Sequence, residues 1–307
     1  MTSREEGFLL LSCHFGNPDR KILTTAQLRT LAARVTGRDW TVRPGDLTCQ
    51  DIAALGYDTG FSQRIVGLLG ETDLLRRYLI RGEKAGCVPI TRVSPDYPLI
   101  LRQRLGLDSP GCLWAKGNLD ILHTPGIALV GSRDLKDRNR EFAAAVGRYA
   151  AEKGFALVSG NARGADRTAQ EACLAAGGQV ISFVADELSS HPKRESILYL
   201  SESGFEEPFT SQRALSRNRC IHALGQMVFV AQAELERGGH LGWHGEESPI
   251  RMESGAVFPG WLFGFPGIGA DGSLSDWPGG SGGFFRCDGQ PAHLFRGLKD
   301  KNPPRAV

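Results

Sequence analysis

The chain has no apolar run near the roughly 20 residues that a bilayer-crossing helix requires, so the sequence offers no membrane span. Its first residues, MTSREEGFLLLSCHF, place two acids ahead of a short apolar patch. A secretory signal has the opposite order, basic and then apolar over a longer stretch. Cysteine is sparse and unordered: seven residues at 13, 49, 87, 112, 173, 220 and 287, odd in number and without a CxxC pair. This argues against a disulfide framework or a zinc site and points to a reducing cytoplasm, where such cysteines act as small buried side chains. The seven histidines show no metal-ligand spacing, so no metal is expected. Charge of one sign is not in excess either, with 36 Lys/Arg against 34 Asp/Glu. Residues 126–239 hold 14 of each sign. Any polyanion must therefore be held by local clusters of arginine, because no bulk basic field exists to attract it.

What the sequence does contain is a repeated junction. Apolar strands run into loops of Gly, Ser and Arg, and helices follow: IALVGSRD (127–134), ALVSGNARGAD (156–166) and an SRNR run (216–219) ahead of VFVAQAE. Strand-loop-helix units with small residues at the junction are how α/β proteins hold phosphate. Backbone N–H groups at a helix N-terminus face the anion, and glycine lets it approach. With an arginine in each loop, the expected ligand is polyanionic.

Around these junctions the texture changes along the chain. Residues 1–85 read as short helices, among them LTTAQLRTLAARV (23–35), DLTCQDIAALGY and SQRIVGLLGETDLLRRYLIRGEKAG, separated by Gly-containing turns. They form a small helical domain of the SAM or helix-hairpin-helix-like kind, either a DNA-backbone contact or a plain structural or oligomerising module. Then come a Pro-rich connector, SPDYP, and a short strand, CLWAKG. Strands are expected at 127–130, 156–158, 180–184 and 227–231, and helices at 138–153, 167–176 and 197–200. Strands alternating with such helices imply βαβ units and a doubly wound parallel α/β sheet, with its ligand at the carboxyl ends of the strands.

These residues resemble the DprA/Smf family of DNA-processing proteins. The anchors are SPDYP (94–98), LWAKGN (113–118), VGSR (130–133), VSGNARGAD (158–166), LAAGG, LSES (200–203) and SRNRCIHALG (216–225), in that order and spacing. The resemblance implies a Rossmann-like domain over 86–239 that binds single-stranded DNA without sequence preference. It also implies protection of incoming strands in natural transformation, delivery to a RecA-type recombinase, a possible homodimer, no catalysis and no cofactor. Carried onto this chain, Gly131, Ser132 and Arg133 form the first phosphate loop, and Ser159, Gly160, Arg163 and Gly164 the second. Arg217, Asn218 and Arg219 supply the third contact. The chain departs from the family pattern at Gln170, where a His is usual, and at Ala214 and Leu215, where an aromatic-Pro pair is usual.

Each arginine also has a plainer reading. Arg133 is then a surface residue at a helix start, Arg163 an ion-pair partner of Asp166 in its own loop, and Arg217 with Arg219 a solvated charged turn. Asp166 reads as a helix cap or loop organiser. Two rival functions stand beside DNA binding. One is a nucleotide-binding protein or nucleoside-monophosphate phosphoribohydrolase of the lysine-decarboxylase-like Rossmann group, suggested by PGGSGG (278–283) but lacking that motif's Thr and Glu. The other is an interaction protein that has kept no ligand.

After Gly239 the pattern stops. Residues 240–307 carry 14 of the 39 Gly, 7 of the 16 Pro and 3 of the 5 Trp, with no surviving helical or alternating period. They are too rich in aromatics for a solvated linker. A one-base frameshift near Gly239 accounts for the break. Read one base downstream, synonymous codons permit TWDGTEKNLRYGWSPVPC and then FQDGSSASQALEQMGASLIG, a continuation of helix and strand.

Overall fold

Helices begin where the N-terminal sequence supplies caps. In the computed structural model, which describes residues 1–35, 43–232 and 263–264, Thr2 and Glu5 form a capping box at the start of α1 (Ser3–Ser12). α2 (Thr25–Val35) follows. Thr48 and Asp51 form a second capping box at α3 (Cys49–Ala53), and the Asp58 carboxylate caps α4 (Thr59–Leu69). α5 (Thr72–Lys84) ends the helical stretch. Arg20 ties these helices together. It is only 7% exposed; its guanidinium donates to the Leu10 and Cys13 carbonyls at the end of α1 and to Glu71 just before α5, at 2.5, 2.6 and 2.6 Å. A cation at a helix C-terminus meets carbonyls that have no partner within the helix.

The chain divides into two compact units: Met1–Leu122 with Ile181–Ala223, and His123–Val180 with Leu224 onward. In the first, β1 (Val88–Thr91), α6 (Leu99–Leu105) and β2 (Cys112–Gly117) follow the helices. β2 pairs antiparallel with β1 and, on its other side, with β6 (Ile197–Ser201), Trp114 lying opposite Ser201. An aromatic cluster of Phe15, Tyr78, Trp114 and Phe205, with ring centroids 4.6–5.3 Å apart, fills this unit's core. The helix expected over residues 197–200 is thus a strand. ILYLS is buried at every position, and a short apolar run buried on both faces carries no alternation that would distinguish strand from helix.

The second unit holds the βαβ series: β3 (Gly126–Val130), α7 (Asp137–Glu152), β4 (Ala156–Ser159) and α8 (Ala165–Ala175). β5 (Gln179–Phe183) crosses the division. α9 (Ser211–Leu224) then returns the chain to β7 (Gly225–Val230). β3 pairs parallel with β4 on one side and with β7 on the other, so the winding reverses at β3. This is the α/β, doubly wound parallel arrangement. The antiparallel β1–β2–β6 ladder is an addition to the all-parallel expectation. α7 presents Phe142, Ala143, Ala145, Val146, Gly147 and Ala150 to the interior. At Gly147 a Cβ would sit 2.1 Å from the Ala169 carbonyl oxygen, so α7 and α8 touch backbone to backbone. Two residues of the tail, β8 (Phe263–Gly264), pair parallel with β7. The rest of 240–307, including PGGSGG and the frame reading, lies outside the described residues.

Candidate nucleic-acid interface

At the carboxyl end of β3 the chain enters a narrow passage. A Cβ on Gly131 would lie 2.7 Å from the Ala165 Cβ and 3.1 Å from the Ala231 Cβ, so glycine is required where the loop passes α8 and the end of β7. Ser132 continues it, its N–H donating to the Gln232 carbonyl at 2.9 Å and its own carbonyl accepting from Ala165 N–H at 3.1 Å. The Ser132 hydroxyl accepts from Asp134 N–H at 3.1 Å, a local turn that presents Arg133 to solvent.

The loop after β4 interlocks with the first. Gly164 has φ +86°, and a Cβ there would meet the Ser132 and Arg133 carbonyl oxygens at 2.5 and 2.6 Å. Asn161 sits in the left-handed region with φ +61°, which asparagine tolerates. Asp166, buried in the first turn of α8, accepts from Ala162 N–H at 3.1 Å, as expected for a loop organiser. Arg163 is exposed and Gly160 buried. Ser159 is fully buried, and its hydroxyl has no hydrogen-bond partner among the described residues. The structure therefore brings Gly131, Ser132 and Arg133 into one assembly with Gly164, and Ser159, Gly160 and Arg163 lie on that same second loop. This assembly sits at the carboxyl edge where the winding reverses, the usual place for a ligand in such a sheet.

The third expected loop is not a loop. Arg217, Asn218 and Arg219 lie within α9, in the other unit. Buried Ala214, Arg217, Cys220, Ile221 and Leu224 recur at helical spacing, so the arginines belong to an amphipathic helix. Arg217 is 6% exposed, and its Nη1 donates to the Phe183 carbonyl at the end of β5 at 2.5 Å. Arg219 pairs with Glu202 at 3.1 Å. Burial pulls its guanidinium down, and Glu202 beside it more than offsets this, leaving it raised. Arg213, which carries no motif signal in the sequence, donates through Nη1 to the Ala185, Glu207 and Pro208 carbonyls at 2.8, 2.7 and 2.6 Å, and burial lowers its pKa.

Gln232 is likewise absent from the sequence expectations, and it proves central to the first loop. It follows directly on the apolar strand VFVA, and a polar residue just past a strand's carboxyl end is the signal that would have found it. Among the described residues no helix is long and apolar enough to cross a membrane, and no group of three or more His, Cys, Asp or Glu side chains is placed to hold a metal ion.

The model of the family "DNA recombination-mediator protein A" matches residues 89–242, half of the chain. The chain belongs to this family. It is 34% identical over 141 residues to DNA processing protein DprA of Streptococcus pneumoniae, covering 43% of this chain and 50% of the relative. It is 31% identical over 142 residues to Protein Smf of Escherichia coli, covering 43% and 38%. With DNA processing protein DprA of Bacillus subtilis it shares 29% over 179 residues, covering 54% and 59%. The matches thus span from 38% to 59% of these relatives' lengths. Among solved structures it is similar to DprA of S. pneumoniae at 25% identity and a TM-score of 0.48, covering 72% of this chain and 82% of that one. It is also similar to a Helicobacter pylori DprA, described for its single-stranded DNA binding mode, at 25% identity and a TM-score of 0.42, covering 51% and 74%. With both scores below one half, the fold stands on the strand pairings above. The family match ends at residue 242, close to where the sequence pattern breaks.

Proposed function

We propose that this protein binds single-stranded DNA without sequence preference and has no catalytic role. The observation that carries the reading is the interlock of the two glycine loops. Gly131 and Gly164 bring the ends of β3 and β4 together, and each loop exposes an arginine, Arg133 and Arg163. Two exposed guanidiniums at the edge where the winding reverses suit a chain of phosphates. Bases stacked on aromatics often supplement such contacts. The residues of these loops are not aromatic, so phosphate contacts dominate and no base is read. Membership of a family named for recombination mediation supports the reading, as does the single-stranded DNA binding described for the H. pylori relative. Delivery of the strand to a RecA-type recombinase during DNA uptake, and pairing of two copies, complete the proposal on the strength of the family alone.

Arg217 and Arg219 have a different part in it. Their guanidiniums are engaged with Phe183 and Glu202, so they support the carboxyl end of the sheet in their own unit, and Arg133 and Arg163 carry the phosphate contacts. The test is binding of a fluorescent single-stranded oligonucleotide across a salt series, wild type against the double variant Arg133→Ala with Arg163→Ala. Each phosphate contact contributes a log-log slope of roughly −0.7 on single strands. The double variant is expected to bind more weakly and to lose about 1.4 from the slope. Equal affinity and equal slope would remove the proposed site.

A further inference from the structure

The loop that carries Arg133 is held by Ala165, whose N–H donates to the Ser132 carbonyl, and by a residue from the far side of β3. Gln232, the second residue after β7, meets it at four points. Its backbone carbonyl accepts from Ser132 N–H at 2.9 Å. Its side-chain oxygen accepts from Lys136 N–H at 3.1 Å and from the Asn139 amide at 2.8 Å. Its side-chain nitrogen donates to the Asp134 carbonyl at 3.0 Å. The orientation of the amide is settled by its neighbours. A backbone N–H can only donate and a backbone carbonyl can only accept, so oxygen faces Lys136 and nitrogen faces Asp134. A neutral primary amide meets both demands at once. A carboxylate of the same shape would set negative charge against the Asp134 carbonyl and beside the anion site. An apolar side chain of the same length would leave all three side-chain bonds unmade.

We infer that Gln232 is the positioning residue of the DNA site, holding the segment from Ser132 to Asn139 in the course that presents Arg133 and keeping the floor of the site uncharged. The inference rests on the DNA-binding reading above. Gln232 need not touch DNA itself. It acts by fixing the loop at the edge where β3 and β7 adjoin, between a strand end and the first turns of α7. Its neutrality matters as much as its reach, because the loop already contains Asp134 and Asp137 beside Arg133, Lys136 and Arg138. A further negative charge on this loop would oppose the binding of phosphate there.

Three variants separate these contributions, measured by oligonucleotide binding across salt and pH alongside thermal unfolding. Gln232→Met is expected to weaken binding about tenfold, the equivalent of one or two net hydrogen bonds. Gln232→Glu is expected to weaken it further at pH 8 and to lower the magnitude of the salt slope by about 0.7, one phosphate contact. Its affinity relative to wild type should recover as the pH falls into the carboxylate range near about 4.3, because the protonated acid again offers a donor and an acceptor. A merely structural role would not produce that recovery or separate Glu from Met. Asn139→Ala removes one bond from the same network, and carries the test if the Gln232 variants do not fold; a smaller loss of affinity supports the inference. If wild type binds, Arg133→Ala weakens it, and the Gln232 and Asn139 variants match wild type in affinity and slope, the inference is overturned while the site stands. If wild type does not bind at all, the DNA-binding reading itself is lost.

Discussion

Burial of His222 makes the stability of this fold depend on pH in a defined window. The imidazole lies in α9 and is 7% exposed, and burial pulls its pKa from an ordinary 6.5 down to about 4. Between these values the unfolded chain takes up a proton that the folded chain refuses. Stability is therefore whole above pH 6.5 and declines as the pH falls toward 4. The full effect is about 3 kcal/mol, of which about 2 kcal/mol is lost between pH 7.5 and pH 5. Carboxylates titrate near the lower end of this window, so the measurement is a difference. Urea unfolding of wild type and of His222→Gln, each at pH 7.5 and 5, is followed by circular dichroism and by tryptophan fluorescence. Coincidence of the two probes tests for a single transition. Wild type should lose about 2 kcal/mol more than the variant over that interval. Parallel losses in the two proteins would refute the reasoning, because they would mean that the folded state accepts the proton on His222 without cost.

Two further outcomes follow from the placement of particular residues. Arg217→Ala should cost about 2–4 kcal/mol in urea unfolding, since it removes a charge-assisted bond to a buried carbonyl along with the packing of the side chain, whereas Arg133→Ala should stay within about 0.5 kcal/mol of wild type; equal stabilities for the two variants would contradict the burial of Arg217. The break in pattern after Gly239 and the end of the family match at residue 242 predict that sequencing the coding DNA will reveal a frame, shifted one base downstream, that encodes TWDGTEKNLRYGWSPVPC; if no shifted frame encodes it, the frameshift idea is dead.

Much of the second unit was legible because each element announces itself locally. β3, β4 and β7 are short apolar runs, α7 and α8 carry small residues at helical spacing, and glycines mark the turns. The expected strand at 156–158 became Ala156–Ser159 and the helix at 138–153 became Asp137–Glu152, shifts that reflect only how ends fray. What failed was pairing at long range. Nothing local in CLWAKG or ILYLS says that the two strands lie antiparallel with Trp114 opposite Ser201. That choice is made by burial on both faces, which removes the alternation that marks a half-buried strand.

The candidate site divides along the same line, and the arginines show why. Glycine is informative in a sequence because its use is geometric. Gly131 and Gly164 stand where a Cβ would collide with a neighbour, and a glycine directly after a buried strand marks such a close approach. Arginine declares charge but not exposure. Arg133 and Arg217 each follow a serine, yet one is presented to solvent by a turn and the other is buried against the Phe183 carbonyl. The information that separates them lies three and four residues away. Ala214, Cys220 and Ile221 place Arg217 on the buried face of a helix, whereas Asp134 turns the chain beside Arg133. Gln232 is faint in the sequence for the complementary reason: its position past a strand end is its one local signal, and it carries no charge and no motif. Its importance comes from three partners far back along the chain, Asp134, Lys136 and Asn139. A basic tripeptide is therefore weak evidence of a phosphate contact until its helical period has been checked.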